Sequence, residues 1–206
     1  MKSFFPIFLC WCGLGLGTLC SAVDTASVRL RLLEMTPEQA IELNLEMEAE
    51  KVGRKETGEP VFQQVVGVAF ERKLAEFADV TFVNAPQVQV QLAKRGEIRI
   101  GKEIRYPKDQ NPVNGRIQTG QQFLGYDILV VPFAGKGDIA VDVALKINFH
   151  ELIKSGDLTK EGVVLPSFYE TSLESRMIVT SGKTVCFGEL TKRNGRKVMV
   201  IGTVFR

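Results

Sequence analysis

Eleven consecutive residues, Ile139 to Phe149, alternate without a break. Ile139, Val141, Val143, Leu145, Ile147 and Phe149 share one face, while Ala140, Asp142, Ala144, Lys146 and Asn148 share the other. A repeat of two is the side-chain period of a β-strand. Strands of five or six residues are usual, so this one is long. Its apolar face needs a cover. One reading is a half-buried sheet packed against helices; another is a bilayer, because a tilted membrane-spanning strand takes about 9–11 residues. In the second case Asp142 and Lys146 would line a lumen.

Other segments follow the same period. Ser27 to Met35 alternates apolar and basic residues through Leu32 and reads as a strand. From Asp79 onward the strands expected are Val80–Val83, Val88–Leu92, Glu97–Tyr106, Tyr126–Phe133, Ile139–Phe149, Arg176–Thr180, Thr184–Leu190 and Val198–Phe205. Ser181-Gly182-Lys183 joins one hairpin. Asn194-Gly195 closes another and suits a type I′ turn, which needs positive φ at both central residues. Between Pro107 and Phe123 the residues are polar and predict a loop.

Two helices are expected near the start. Thr36-Pro37-Glu38-Gln39 supplies an N-cap, a proline at the first helical position and a glutamine at the capping-box position. Ile41, Leu45 and Val52 then form an apolar stripe, with Leu43 and Met47 beside it. A charged loop spans Gly53 to Pro60. The second helix is predicted over Val61–Phe77, where Val66, Phe70, Leu74 and Phe77 keep helical spacing. The fold class is therefore mainly β (α+β): an antiparallel β-hairpin sheet with two N-terminal helices. The division expected is a leader over 1–22, a strand and two helices packing on the sheet over 23–78, and an antiparallel β module over 79–206.

The leader is read from Lys2, the apolar run Phe4 to Leu19, and the small residues Ser21 and Ala22. A basic start, a short apolar core and a small-residue exit describe a secretory signal cleaved after Ala22. Cleavage removes Cys10, Cys12 and Cys20 and leaves Cys186 alone, so no intrachain disulfide is expected in the mature chain. About 184 residues remain, enough for a packed core. Charge is almost balanced, with 26 Lys and Arg against 24 Asp and Glu, and points to no nucleic acid.

Catalytic residues are scarce. His150 is the one histidine, so a nucleophile triad or a histidine-based metal site would both depend on it. Ser181-Gly182-Lys183-Thr184 has the end of a phosphate-binding loop, but Met177 stands where that motif needs its first glycine. The basic string Thr191 to Lys197 surrounds an Asn-Gly turn and reads as a solvated tip. Glu46, Glu48 and Glu50 lie two apart, which does not pair them on a helix. No enzyme activity, cofactor or metal is expected.

The order of these strands and turns resembles the C-terminal module of the bacterial secretins, the outer-membrane channels of type II and type III secretion and type IV pili. Asn84-Ala85-Pro86 is similar to the family's Ser/Asn-Ala-Pro corner. "IRIGKEIRYP" (Ile98 to Pro107), with Gly101, Tyr106 and Pro107, resembles the strand and turn that follow. "GYDILVVPFAGKGDIAVDVAL", with Gly125 and Pro132, is similar to the family's Gly-Val-x-Leu-x-Val-x-Pro strand and its return. "SRMIVTSGKTVCFGEL", with Gly182, Gly188 and Leu190, resembles the hairpin that ends the module, although Glu189 replaces its second glycine. "VRLRLLEM" is similar to the opening strand and places Glu34 at its glutamate.

The resemblance covers about Val80 to Leu190. It implies an exported structural or assembly protein of the periplasm or outer membrane of a double-membraned bacterium. Its expected partners are other secretin-like subunits, in a homo-oligomer, or components of a secretion or pilus apparatus. The other reading from the residues is a periplasmic or surface β-rich binding module that forms no pore.

Overall fold

The computed structural model describes residues 24–54, 60–110, 115–135, 139–153 and 166–206. The leader expected over 1–22 with its expected cleavage after Ala22, the centre of the charged loop after Gly53, Pro112 and Gly137 lie outside the described residues.

The chain folds into two antiparallel sheets with two helices (Fold elements in order: β1 Thr25–Met35, α1 Pro37–Leu45, β2 Glu48–Arg54, β3 Pro60–Val65, α2 Val68–Glu76, β4 Thr81–Asn84, β5 Gln87–Gln91, β6 Gly96–Gln110, β7 Ile117–Ala134, β8 Ala140–Ile153, β9 Ser167–Thr180, β10 Thr184–Thr191, β11 Lys197–Phe205). The larger sheet runs β2-β3-β10-β11-β1-β4, with β5 also on β1; the smaller runs β6-β7-β8-β9. Strand β1 lies between β11 and the β4–β5 pair, so the first and last described strands share one sheet.

The two sheets face each other across one core. Val28, Leu30 and Leu32 of β1 meet Val141, Val143, Leu145 and Ile147 of β8 there, all essentially inaccessible to solvent. Burying each such side chain stabilises the fold by ~1.5–3 kcal/mol before the ordering entropy is set against it. The apolar face of β8 is thus covered by the second sheet. It meets neither lipid nor the helices, and the long strand begins at Ala140, with Ile139 65% exposed. Asp142, Ala144, Lys146, Asn148 and His150 occupy the outer face.

The helices cover the far side of the larger sheet. Leu33 and Met35 of β1 and Met199 and Ile201 of β11 pack there against Leu43 of α1 and Phe70 and Leu74 of α2. This explains why β1 carries apolar residues on both faces near its end. The capping box is present: Thr36 Oγ1 accepts from the Gln39 N–H at 3.3 Å, and Gln39 Oε1 accepts from the Thr36 N–H at 2.9 Å.

The helix bounds differ from the sequence expectation. Helix α1 stops at Leu45, and Glu48–Arg54 pairs with β3 instead of prolonging the Ile41–Leu45–Val52 stripe. Ile41 and Leu45 face solvent, while Ala40 and Leu43 face the sheet. The cap fixes where the helix starts; the sheet beneath decides which side is covered. Val61–Val65 is strand β3, not helix, and α2 starts at Val68 after Gly67. The helical spacing of Phe70 and Leu74 is real, and both are buried.

Two turns also depart from expectation. Most of the predicted loop after Pro107 is a two-stranded ribbon, since β6 runs to Gln110 and β7 starts at Ile117. Its polar sequence hides the pairing because neither face at Ile117–Gln121 is deeply covered. At Asn194-Gly195 only Gly195 has positive φ, +81°. The Gly195 N–H donates to Lys192 O and the Lys192 N–H donates to Arg196 O, which makes a type I turn followed by a glycine bulge and not a type I′ turn.

Candidate functional site

Strands β6 and β9 are the two edges of the smaller sheet, 15 and 14 residues long. Within this chain's described ladders, β6 pairs with β7 and β9 pairs with β8. Their outward backbone groups form two long rows open to a further strand. Several residues singled out in the sequence control the shape of this sheet.

Gly101 and Gly125 sit directly opposite each other on β6 and β7. Gly125 has φ +124°, and a Cβ there would fall 2.1 Å from Ile100 O. A Cβ on Gly101 would meet Leu124 O at 1.9 Å. This row, continued by His150 and Glu170, is where β7 stops pairing with β8 while the β6–β7 ribbon runs on. Beyond it, the Tyr106 ring stacks edge-on against Phe168 at 5.0 Å and lies over Gly120. Pro107 borders the register shift between Pro107 and Asp109 on the edge strand β6, the kind of position where a sheet tolerates proline. Pro132 is buried on β7 past the last β6 pair, and its carbonyl accepts from the Ala93 N–H at 2.7 Å.

The Asn-Ala-Pro corner interrupts a strand that would otherwise run along β1. Asn84 pairs with Leu32, and Asn84 Oδ1 accepts from the Ala85 N–H at 2.7 Å. The carbonyl of Pro86 accepts from the Leu30 N–H at 2.9 Å, and β5 resumes at Gln87. Gly182 (φ +83°) forms the β9–β10 turn, and its N–H donates to Val204 O. Gly188 (φ +135°) lies at the β10 bulge, where a Cβ would meet Leu173 Cδ1 at 2.9 Å. Leu190 is in the core. Glu189 accepts from Asn44 Nδ2 at 2.6 Å and ties α1 to β10.

Glu34 ends β1 in a mostly buried ion cluster. Lys192 Nζ donates to its Oε2 at 2.9 Å, and Arg196 Nε lies 2.9 Å from its Oε1, an ion-pair contact without hydrogen-bond alignment. Lys192 Nζ also stands 5.1 Å from the Phe149 ring centroid. The nearby Tyr126 hydroxyl is buried without a hydrogen-bond partner. Burial first, then the negative charges of Glu34 and Glu151, push its pKa upward.

The structure does not gather the motif residues into one pocket. Glu34 and Leu190 are on the larger sheet, Gly101, Tyr106, Pro107, Gly125 and Pro132 are on the smaller, and Asn84, Pro86, Gly182 and Gly188 mark a corner, a turn and a bulge. His150 stands on the outer face of β8, with Nδ1 3.4 Å from Gln122 Nε2 and Nε2 3.9 Å from Glu170 Oε1. Cys186 is buried, and its thiol is pushed up to about 11, chiefly by burial. Among the described residues, no three His, Cys, Asp or Glu side chains group as metal ligands. No helix among them is long and apolar enough to cross a membrane.

One feature of the edge left no sequence signal. Gln63 on β3 is 4% exposed, and neither its amide oxygen nor its nitrogen has a hydrogen-bond partner. It lines a groove beside β9 with Phe62, which is 58% exposed.

No family model matches the sequence, and no curated protein does. The structure is similar to solved secretins. Against the secretin-domain β-barrel of InvG from the Salmonella SPI-1 injectisome, the TM-score is 0.48 at 12% identity, over 88% of this chain and 62% of that one. Against the type II secretion system secretin GspD of E. coli K12, it is 0.44 at 11% identity, over 88% and 47%. Against Aeromonas hydrophila ExeD, it is 0.41 at 12% identity, over 88% and 46%. This chain spans less than two-thirds of the length of each of these proteins.

Proposed function

We propose that this chain is an exported, non-enzymatic, secretin-like subunit that assembles with copies of itself in the periplasm or outer membrane, as part of a type II secretion, type IV pilus or related envelope apparatus. One observation carries the reading: the smaller sheet ends in two long open edges whose directions match. Its four strands alternate in direction, so β9 of one copy and β6 of the next run antiparallel and extend the ladder without reversal. The edges differ from each other, and repeated head-to-tail contact between unlike edges closes into a ring when the rotation per copy allows. The ordered resemblance over about Val80 to Leu190 and the leader-like start support the same reading.

The test is to express the full-length chain in a double-membraned bacterium and examine its membranes for multimers that survive detergent and heating. A clean soluble monomer would defeat the proposal. A second reading, a binding module without a pore, is favoured by the inward-facing apolar side of β8, which offers nothing to lipid along that stretch. It predicts that soluble monomer, with an edge strand left to accept a partner's extended segment.

A further inference from the structure

A groove of about 310 Å³ runs between the β2–β3 ribbon of the larger sheet and the β9 edge of the smaller. Val52, Phe62 and Gln63 form one wall; Asp142, Arg176 and Ile178 contribute to the other. Phe62 and Ile178 expose apolar surface there, and the Gln63 amide is enclosed with nothing to bond. An unpaired buried amide is costly in a finished structure, roughly 1–3 kcal/mol. The groove therefore has the character of half an interface.

The occupant follows from how a second copy's β6 can pair with β9. On β6, Pro107 and the adjoining bulge end the regular ladder, leaving Gly96 to Tyr106 as the pairable stretch. That stretch must fit within Ser167–Thr180 with outer residues kept on the outer face. Only two registers satisfy both conditions. One puts Arg99 opposite Glu174 and Glu97 opposite Arg176, with Glu103 opposite Glu170 as the single like-charge pair. The other slips by two residues and puts Arg99 opposite Arg176, retaining one favourable pair, Arg105 with Glu170. Opposed charges stabilise and like charges destabilise by ~0.2–1 kcal/mol per cross-strand pair, so the first register wins.

In that register Gly96 lies opposite Met177, and the chain before it runs past Ile178 into the groove. That segment is the β5–β6 turn, carrying exposed Lys94 and Arg95. In the single chain Asp142 of the groove pairs with Arg176, Glu50 opposite Gln63 pairs with Lys183, and Arg95 pairs with Glu97. In this register Glu97 of the adjacent copy takes Arg176 and leaves Asp142 for that copy's Arg95. We propose that this groove is the socket for the β5–β6 turn of an adjacent copy, with the Gln63 side chain turning out into the groove to bond the turn's backbone. The proposal rests on the self-assembly reading above and adds the register and the contact.

Cysteine pairs in the full-length chain test it, with cross-links read as ladders on non-reducing gels. Ser175→Cys with Ile98→Cys, and Phe62→Cys with Lys94→Cys, should both give ladders. Ser175→Cys with Ile100→Cys, which the slipped register would join, should not; the first and third pairs leave every register-setting charge in place. Gln63→Leu should lower the multimer fraction by roughly tenfold while the circular dichroism of the fold is unchanged. A ladder from the 175/100 pair, or from 175/98 without 62/94, overturns the socket and leaves edge-to-edge assembly standing. An undiminished multimer in Gln63→Leu also overturns the assigned contact. Absence of multimers in the unsubstituted chain removes self-assembly itself, and the socket with it.

Discussion

Gly101 faces Gly125 across the β6–β7 ladder, and a Cβ on either would come within about 2.1 Å of a backbone carbonyl oxygen. This pair lets two backbones approach where the ribbon leaves β8. Ala at position 125 would meet both that carbonyl and an unfavourable φ of +124°. Gly125→Ala should cost roughly 2–4 kcal/mol of stability. Urea unfolding of the mature chain measures this, and a change below 1 kcal/mol would contradict the close approach.

Ala93 is the one non-glycine among the described residues with positive φ, at +60°. It sits in the β5–β6 turn, where the Lys94 N–H donates to Gln91 O at 3.0 Å. A left-handed alanine costs about 1–2 kcal/mol, partly offset by the greater unfolded-state entropy of glycine. Ala93→Gly should therefore raise the urea midpoint, by about 0.5–1 kcal/mol in free energy.

Gln63 predicts opposite effects in two states. In the isolated monomer, replacing a buried unpaired amide with an apolar side chain of similar size should stabilise by ~1–3 kcal/mol. Thermal melting of monomeric Gln63→Leu checks this. A lower melting temperature would mean the amide is satisfied within the single chain.

Cys186 provides a pH signature. Its folded thiol is held up to about 11, above its ordinary value near 9, so between those values the unfolded chain loses the proton first. Stability from this group is full below pH 9 and disappears as pH rises through 11, by an amount on the order of 2–3 kcal/mol. Cys186→Ala should have lower stability at neutral pH, from the lost packing, but a flatter decline from pH 9 to 11. The folded thiol should also resist alkylation at neutral pH.

Much of the framework was legible from local pattern. The alternation in Ile139–Phe149 predicted a strand, found from Ala140 onward, Thr36-Pro37-Gln39 predicted a helix start, and Asn84-Ala85-Pro86 predicted a corner. In the structure Gly101 and Gly125 stand at a close approach, Gly182 at a turn and Gly188 at a bulge. Less legible were β2, β3 and the β6–β7 extension, whose polar or mixed residues carry no period because their faces are only partly covered. Gln63 gave no warning at all, since a lone glutamine in a short strand has the signature of a surface residue.

By itself the sequence determined which segments extend and where they turn, because backbone preference and side-chain period act over a few residues. Tertiary structure decided which segments became partners. It placed β1 beside the C-terminal strand, divided the strands between two sheets, and turned the apolar face of β8 toward the larger sheet. Those choices depend on contacts between residues more than a hundred positions apart, such as Leu30 with Gly202. No local repeat encodes them; they follow from which faces, once formed, can exclude water together.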